Sequence, residues 1–238
     1  KMKSEFVSIS AHQLRTPLSA IKWTLRAILD GDVGQLNPGQ IDLLQKTYTS
    51  NERMIALVND LLDVTRIEGG KRLFKPGLAD IEPVVQFVIN SFKGEAERRQ
   101  IFVEFKKSFG QTPKIMLDVE KIKLALQNLV GNAISYTPIG GKVTISLKHD
   151  KKEVEISVKD TGIGIPQDSQ QKIFTKFFRS QNAIRMETEG SGLGLFITKN
   201  IVEAHGGRIW FESEENKGTA FYVAIPIKEE FEEFLKEF

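Results

Sequence analysis

His12 stands in the run Phe6-Val7-Ser8-Ile9-Ser10-Ala11-His12-Gln13-Leu14-Arg15-Thr16-Pro17-Leu18. On a helix it falls roughly 100° away from the apolar seam marked by Ala11, so its ring is expected to face solvent. The side-chain oxygen of Gln13 can accept a hydrogen bond from Nδ1–H and select the tautomer whose other nitrogen is free to attack an electrophile. As a neutral amide, Gln13 cannot take up a proton or offset imidazolium charge. Thr16, four residues on, shares the histidine's face. Pro17 removes a hydrogen bond to the Gln13 carbonyl and crowds it, which predicts a bend beside the histidine.

A second set of candidate residues lies after residue 120. Asn128 and Asn132 are one helical turn apart and project from one face. Their amide oxygens are hard neutral ligands of the kind Mg²⁺ accepts while it keeps water and bridges phosphates. Asp160-Thr161-Gly162-Ile163-Gly164-Ile165-Pro166 follows a strand pattern, and its glycines permit close backbone approach. Phe174, Phe177 and Phe178 precede Arg179, whose guanidinium suits phosphate oxygens. Phe174 and Phe177 are expected to serve in part as core. Residues 180–189 are polar and unpatterned, as a mobile lid would be. Gly190-Ser191-Gly192-Leu193-Gly194-Leu195 leads into a helical pattern, where backbone N–H groups can point at phosphate. It is not a Walker A loop, since no Gly-Lys-Ser/Thr follows, and no strand precedes it as a dinucleotide-binding loop requires.

Two unlike halves must position these residues. Over residues 4–68, Val7, Ala11, Leu14, Leu18, Ile21, Leu25 and Ile28 form one heptad-like seam, broken at Gly31 to Gly39. A second seam runs through Ile41, Leu44, Tyr48, Asn51, Ile55, Val58, Leu62 and Thr65, widened by Leu57 and Leu61. These helices predict an antiparallel hairpin, which buries its broad apolar face either by dimerising into a four-helix bundle or by packing on its own chain. Gly69-Gly70 ends the second helix. Beyond it, strands are expected at 72–75, 101–105, 142–148, 153–159, 208–213 and 219–226. Helices are expected at 81–98, 120–135 and 193–204, with a shorter one near 170–174. Asp80 and Asp118 occupy N-cap positions. The pattern predicts a two-layer α/β sandwich over roughly residues 71–227.

Composition narrows the function classes. In 238 residues, 33 Lys and Arg against 31 Asp and Glu leave a net charge of only +2. That offers no electrostatic footprint for nucleic acid, and none is expected as a partner. The absence of cysteine excludes disulfides and thiolate chemistry and fits a cytoplasmic setting. No apolar run spans a bilayer, so any membrane attachment is expected through segments absent from this chain, whose start reads as a cut through a longer protein. Three histidines without ligand spacing argue against zinc. His205, before Gly206-Gly207, reads as a helix-end cap. Phe231, Phe234, Leu235 and Phe238 share one face of a tail helix. That face suits packing on the sandwich, contact with another protein, or an engineered addition.

His-x-Leu-Arg-Thr-Pro-Leu resembles the histidine box of sensor histidine kinases, and the four later segments resemble the boxes of the same family's ATP-binding domain, in the same order. Gly218-Thr219 is similar to its final element. The resemblance implies an α + α/β chain: residues 1–70 as a dimerising phosphotransfer hairpin, and residues 71–238 as an ATP-binding sandwich of the Bergerat type. It implies ATP and Mg²⁺ as cofactors, a homodimer, and a response-regulator receiver domain as partner. His12 is then the phosphoacceptor, Gln13 stands where the family most often has an acid, and Thr16 positions water for dephosphorylation of the partner. Asn132 holds Mg²⁺ with Asn128 nearby, and Tyr136 lies beside the phosphates. Ser135 stands where the family often has a basic residue. Asp160 accepts from the adenine amino group, flanked by Gly162, Gly164 and Ile165. Arg179 lies near the γ-phosphate. Gly190, Ser191, Gly192, Leu193, Gly194, Leu195 and Thr219 complete the nucleotide contacts. Two alternatives stay open, a catalytically silent ATP-binding scaffold of this fold and an ATPase of the gyrase or Hsp90 type.

Overall fold

The computed structural model describes residues 2–68, 75–108 and 110–227, the side chains of residues 2–8, 12 and 68 excepted. The chain divides into two compact units, Lys1–Arg72 and Leu73–Phe238.

The first unit is a helical hairpin, α1 (Met2–Leu29) and α2 (Pro38–Glu68), and α1 runs through Pro17 without ending. Gly31 and Gly34 turn the chain with φ of +89° and +116°, which a Cβ disfavours. Asn37 and Gln40 then cap each other, each side-chain oxygen accepting the other's backbone N–H at 2.9 Å. The hairpin core is Ala11, Leu18, Val58 and Leu62, flanked by Ile55 and Leu61. Asn51, a polar member of the second seam, is buried and donates to the Leu18 carbonyl at 3.0 Å.

The α1 seam, expected to be continuous, divides. Ala11, Leu18 and Leu25 are buried within the hairpin, whereas Leu14 and Ile21 are exposed in the single chain. Within the hairpin α2 covers one set of alternate seam positions and leaves the other open. Met54 and Leu57 of α2 are also exposed.

The second unit is a sheet covered on one face by helices. Five strands lie in the order β2-β4-β5-β7-β6: β2 (Phe102–Lys107), β4 (Lys142–His149), β5 (Glu153–Asp160), β6 (Arg208–Glu214) and β7 (Gly218–Pro226). Only β2 and β4 run parallel in this sheet. Val143, Ile145, Leu147, Val154, Ile156 and Val158 alternate onto the buried face, as their period of two requires. Against them pack α3 (Ile81–Arg98), α4 (Val119–Ser135) and α7 (Gly194–Ala204). Asp80 accepts from Glu82 N at 3.0 Å and Asp118 from Lys121 N at 3.1 Å, so both cap as their positions imply.

A small two-stranded sheet lies outside the strands expected above, β1 (Gly77–Ala79) with β3 (Ile115–Leu117) antiparallel. Three residues are too few to display a period. The expected strand at 72–75 falls largely outside the described residues, as does the tail helix after residue 227. The short helix expected near 170–174 is one turn earlier, α5 (Gln167–Gln170), because Pro166 sets its start and turns follow it. Residues 180–189, expected to lack regular structure, contain α6 (Gln181–Met186).

Candidate nucleotide site

The site is framed by the end of α4, the loop after β5, the loop before α7, and the start of β7. Buried Ile122, Ala125, Leu126, Leu129, Val130, Ala133 and Ile134 fix the rotation of α4 and leave Asn128 and Asn132 half-buried on another side. The two amides have different tasks. Asn128 donates to the Gly194 carbonyl at 3.1 Å and to Thr198 Oγ1 at 3.3 Å, tying α4 to the start of α7. Asn132 makes no side-chain hydrogen bond among the described residues, so its oxygen is available to a hard cation. No group of three carboxylates and imidazoles gathers among the described residues. A cation here would rely on Asn132, water and the substrate's phosphates.

Asp160 ends β5 with its carboxylate buried. Its Oδ1 accepts from Gly162 N at 2.8 Å and Thr219 N at 3.1 Å, which fixes the plane of the group. Its second oxygen has no protein partner among the described residues. Burial pushes the Asp160 pKa up to about 6, against the two N–H groups that hold it down. A carboxylate in this state is a strong acceptor for an N–H donor that enters the pocket.

The loop after Asp160 has no room for a side chain at two of its positions. A Cβ on Gly162 would lie 2.3 Å from the Tyr136 carbonyl oxygen, and one on Gly164 would lie 2.0 Å from that of Glu214. Ile163 donates to the Tyr136 carbonyl at 3.1 Å, which docks this loop on the end of α4. Tyr136 itself is the half-buried C-cap of α4.

Ser213, which the sequence reading did not single out, organises the opposite wall. Its Oγ accepts from Ile165 N at 2.8 Å, meets Thr219 Oγ1 at 2.9 Å and lies 3.1 Å from the Gly218 carbonyl. Gln170 donates to the carbonyls of Ile165 and Ser213 at 3.1 and 3.2 Å. A lone serine in a strand carries no sequence signal of such a role, since pairing partners decide it.

At α7, Leu193 is fully buried and anchors the turn, and Ser191 Oγ accepts from Leu193 N at 3.2 Å. Gly190 and Gly192 have φ of +141° and +66°, and a Cβ on Gly192 would lie 2.7 Å from the Phe177 carbonyl carbon. Gly194 and Leu195 open α7 at half-buried positions, where the first N–H groups of a helix have no helical acceptor.

One expectation for the segment before this loop is corrected. Phe174 does pack edge-on against Phe211 and Phe221, at ring separations of 6.0 and 6.4 Å. Phe177 does not join a core: it is exposed, with φ +62°, because its backbone N–H bonds the Gly192 carbonyl at 3.0 Å and turns the ring outward. Arg179, expected near the γ-phosphate, bonds nearby backbone carbonyls through its terminal nitrogens and leaves its buried Nε without a partner among the described residues. It donates to the carbonyls of Thr188 at 3.1 Å, Ala183 at 3.4 Å, Gly190 at 3.5 Å and Glu187. These acceptors lie within eleven residues of it, so the guanidinium closes a collar around α6.

In the hairpin, the backbone of α1 carries His12, whose side chain lies outside the described residues, as does the expected direction of its ring. Gln13 and Thr16 are both exposed. Arg15 donates to Asn59 Oδ1 at 2.6 Å across the hairpin.

Comparison with known proteins places both halves. Residues 2–70 match the His Kinase A (phospho-acceptor) domain, and residues 117–229 match the histidine kinase-, DNA gyrase B- and HSP90-like ATPase family. The chain is 37% identical to the sensor histidine kinase WalK of Bacillus subtilis, over 97% of this chain and 38% of that protein. It is 31% identical to the circadian input-output histidine kinase CikA of Synechococcus elongatus, over 94% of this chain and 30% of that protein. The chain thus spans less than two fifths of the length of these relatives. Among solved structures, the catalytic domain of histidine kinase ThkA superposes with a TM-score of 0.57 at 32% identity, covering 64% of this chain and 96% of that one. Full-length ShkA in complex with AMPPNP gives 0.76 at 27% identity, covering 94% of this chain and 46% of that one. A helical region followed by a mixed α/β sheet, with these matches across both, means that the chain belongs to the sensor histidine kinases and carries their catalytic core.

Proposed function

We propose that this chain transfers the γ-phosphoryl group of ATP to His12 and then donates it to an aspartate of a response-regulator receiver domain. The observation that carries the reading is Asp160: a buried carboxylate with one oxygen pinned by Gly162 and Thr219 and the other left for a ligand's N–H. In this reading that ligand is the adenine amino group. Asn132, with its unoccupied amide oxygen, holds Mg²⁺, which would offset phosphate charge when bound. The backbone from Gly190 to Leu195 lines the phosphates, with Thr219 and Tyr136 on the adjoining walls.

Residues 1–70 then act as the phosphotransfer hairpin and residues 71–238 as the kinase domain. Exposed Leu14, Ile21, Met54 and Leu57 support a homodimer, because a four-helix bundle covers them. Gln13 orients the His12 ring without serving as base, and Thr16 positions water when the same hairpin dephosphorylates its partner. No helix among the described residues is long and apolar enough to cross a membrane.

Incubation with radiolabelled Mg-ATP should give acid-labile, alkali-stable protein phosphate that His12→Ala abolishes. Nucleotide binding without label would favour a silent scaffold, the reading that Gln13 supports. Phosphate release unaffected by His12→Ala would favour an ATPase.

A further inference from the structure

Arg99, at the C-cap of α3, reaches two elements far from it in sequence. One nitrogen of its guanidinium donates to the Ser135 carbonyl at 3.2 Å, at the last residue of α4. Another meets Glu187 Oε2 at 3.0 Å, at the C-cap of α6. Its Nε lies 3.5 Å from Glu95, one helical turn back. Arg99 is itself rigidly placed, because Ile101 N bonds the Ala96 carbonyl, Gly140 N bonds Gln100 O, and Phe102 N bonds Gly141 O. The end of α3 is thereby stitched to the loop that follows α4.

Glu187 is held from both sides, by Arg99 through its carboxylate and by Arg179 through its carbonyl. The other end of α6 is tied down by Asn182, which donates to the Gly164 carbonyl at 3.0 Å. One anchor of α6 thus sits on the loop after Asp160 and the other at the end of the helix that carries Asn132.

We propose that Arg99 and Glu187 form a latch that pre-positions the segment 180–189 as a lid against the nucleotide site, making Arg99 a positioning residue for ATP binding. The inference rests on the reading of this pocket as an ATP site. With the latch closed, the lid is ordered before nucleotide arrives. With it open, the lid must be ordered at the moment of binding, and that cost appears as weaker affinity. The pair is only partly buried, so its effect is moderate and sensitive to salt.

The test measures binding of a non-hydrolysable ATP analogue with Mg²⁺, together with the rate of tryptic cleavage after Arg185, an exposed residue within the lid. Arg99→Glu should weaken analogue binding about 5-fold and speed that cleavage, with the thermal midpoint little changed. Arg99→Lys should retain most of the affinity. The exchange Arg99→Glu with Glu187→Arg should return both readouts toward wild type, which a general loss of stability would not do. The bound complex's phosphoryl-transfer rate should change less than its affinity. Wild-type affinity and cleavage in Arg99→Glu, or no recovery in the exchange, overturns the latch. Failure of the wild-type chain to bind the analogue overturns the ATP reading instead, and the cleavage rates then still judge the latch.

Discussion

His205 Nε2 accepts the backbone N–H of Asp118 at 3.0 Å, joining the end of α7 to the N-cap of α4. Its Nδ1–H donates to the Ile201 carbonyl at 2.7 Å, so the ring is neutral, and burial holds its pKa below the usual imidazole value. The Asp118 carboxylate works in the opposite direction without prevailing.

A depressed imidazole pKa contributes stability that is present above about 6.5 and lost as pH falls from there toward the folded-state value. The His205 contribution to the second unit's resistance to urea should therefore fall between pH 7 and pH 5, read as the difference between wild type and a His205 variant because Asp160 titrates with the opposite sign in the same range. His205→Leu should lower stability at pH 7 by about 1–3 kcal/mol, since it strands the Asp118 N–H, and should flatten that pH dependence. An unchanged acid limb in the variant would show that another group titrates.

Asp160 has the opposite sign. Its pKa is raised to about 6, so its burial favours the folded state at low pH, and that advantage is lost as pH rises through about 6. Asp160→Asn keeps an oxygen for Gly162 and Thr219 but presents an N–H₂ donor to the pocket. At pH 7.5 the variant should be as stable as wild type or more so, while binding ATP about 10- to 100-fold more weakly. Calorimetric titration beside thermal melting separates the two effects, and tight binding by the variant would remove Asp160 from base recognition.

Glycine positions should respond in opposite directions. Gly164→Ala places a Cβ against the Glu214 carbonyl at φ +63°, and about 2–5 kcal/mol of destabilisation is expected from overlap and backbone strain together. Gly94, exposed in α3 with nothing near its Cβ position, should gain about 0.5–1 kcal/mol as Ala. Chemical denaturation of both variants checks the pair.

If Gln13 orients His12 without sharing its proton, a carboxylate at that position should accelerate autophosphorylation. Gln13→Glu is expected to raise the initial rate at least about 10-fold at saturating ATP. A rate equal to or below wild type contradicts the handicap assigned to Gln13.

Exposed Leu14 and Ile21 on α1 should be covered in the active assembly. Ile21→Glu is expected to shift the chain toward monomer in sedimentation experiments, whereas Trp23→Glu, at a more exposed position off the seam, should not. Equal behaviour of the two variants would place the dimer contact elsewhere.

Periodicity alone determined the major elements here. The seams through Ala11 and Val58, the alternation of β4 and β5, and the caps at Asp80 and Asp118 are local patterns, and each has a local physical cause that one sequence displays. The glycines at 162, 164, 190 and 192 were equally legible, because a backbone that approaches another backbone or adopts positive φ tolerates little else. What only the tertiary structure decided were the partners of ordinary polar groups. Asn128 and Asn132 read alike, yet α7 occupies the first and leaves the second open. The carbonyls of Thr188 and Glu187 that Arg179 meets are likewise set by how the chain folds back after α6. α6 has no periodic signature, since it is held by Asn182 and by the ion pair of Glu187 with Arg99, 88 residues earlier. Hydrogen-bond partners that distant are set by how the sheet and helices pack, and no short run of residues encodes them.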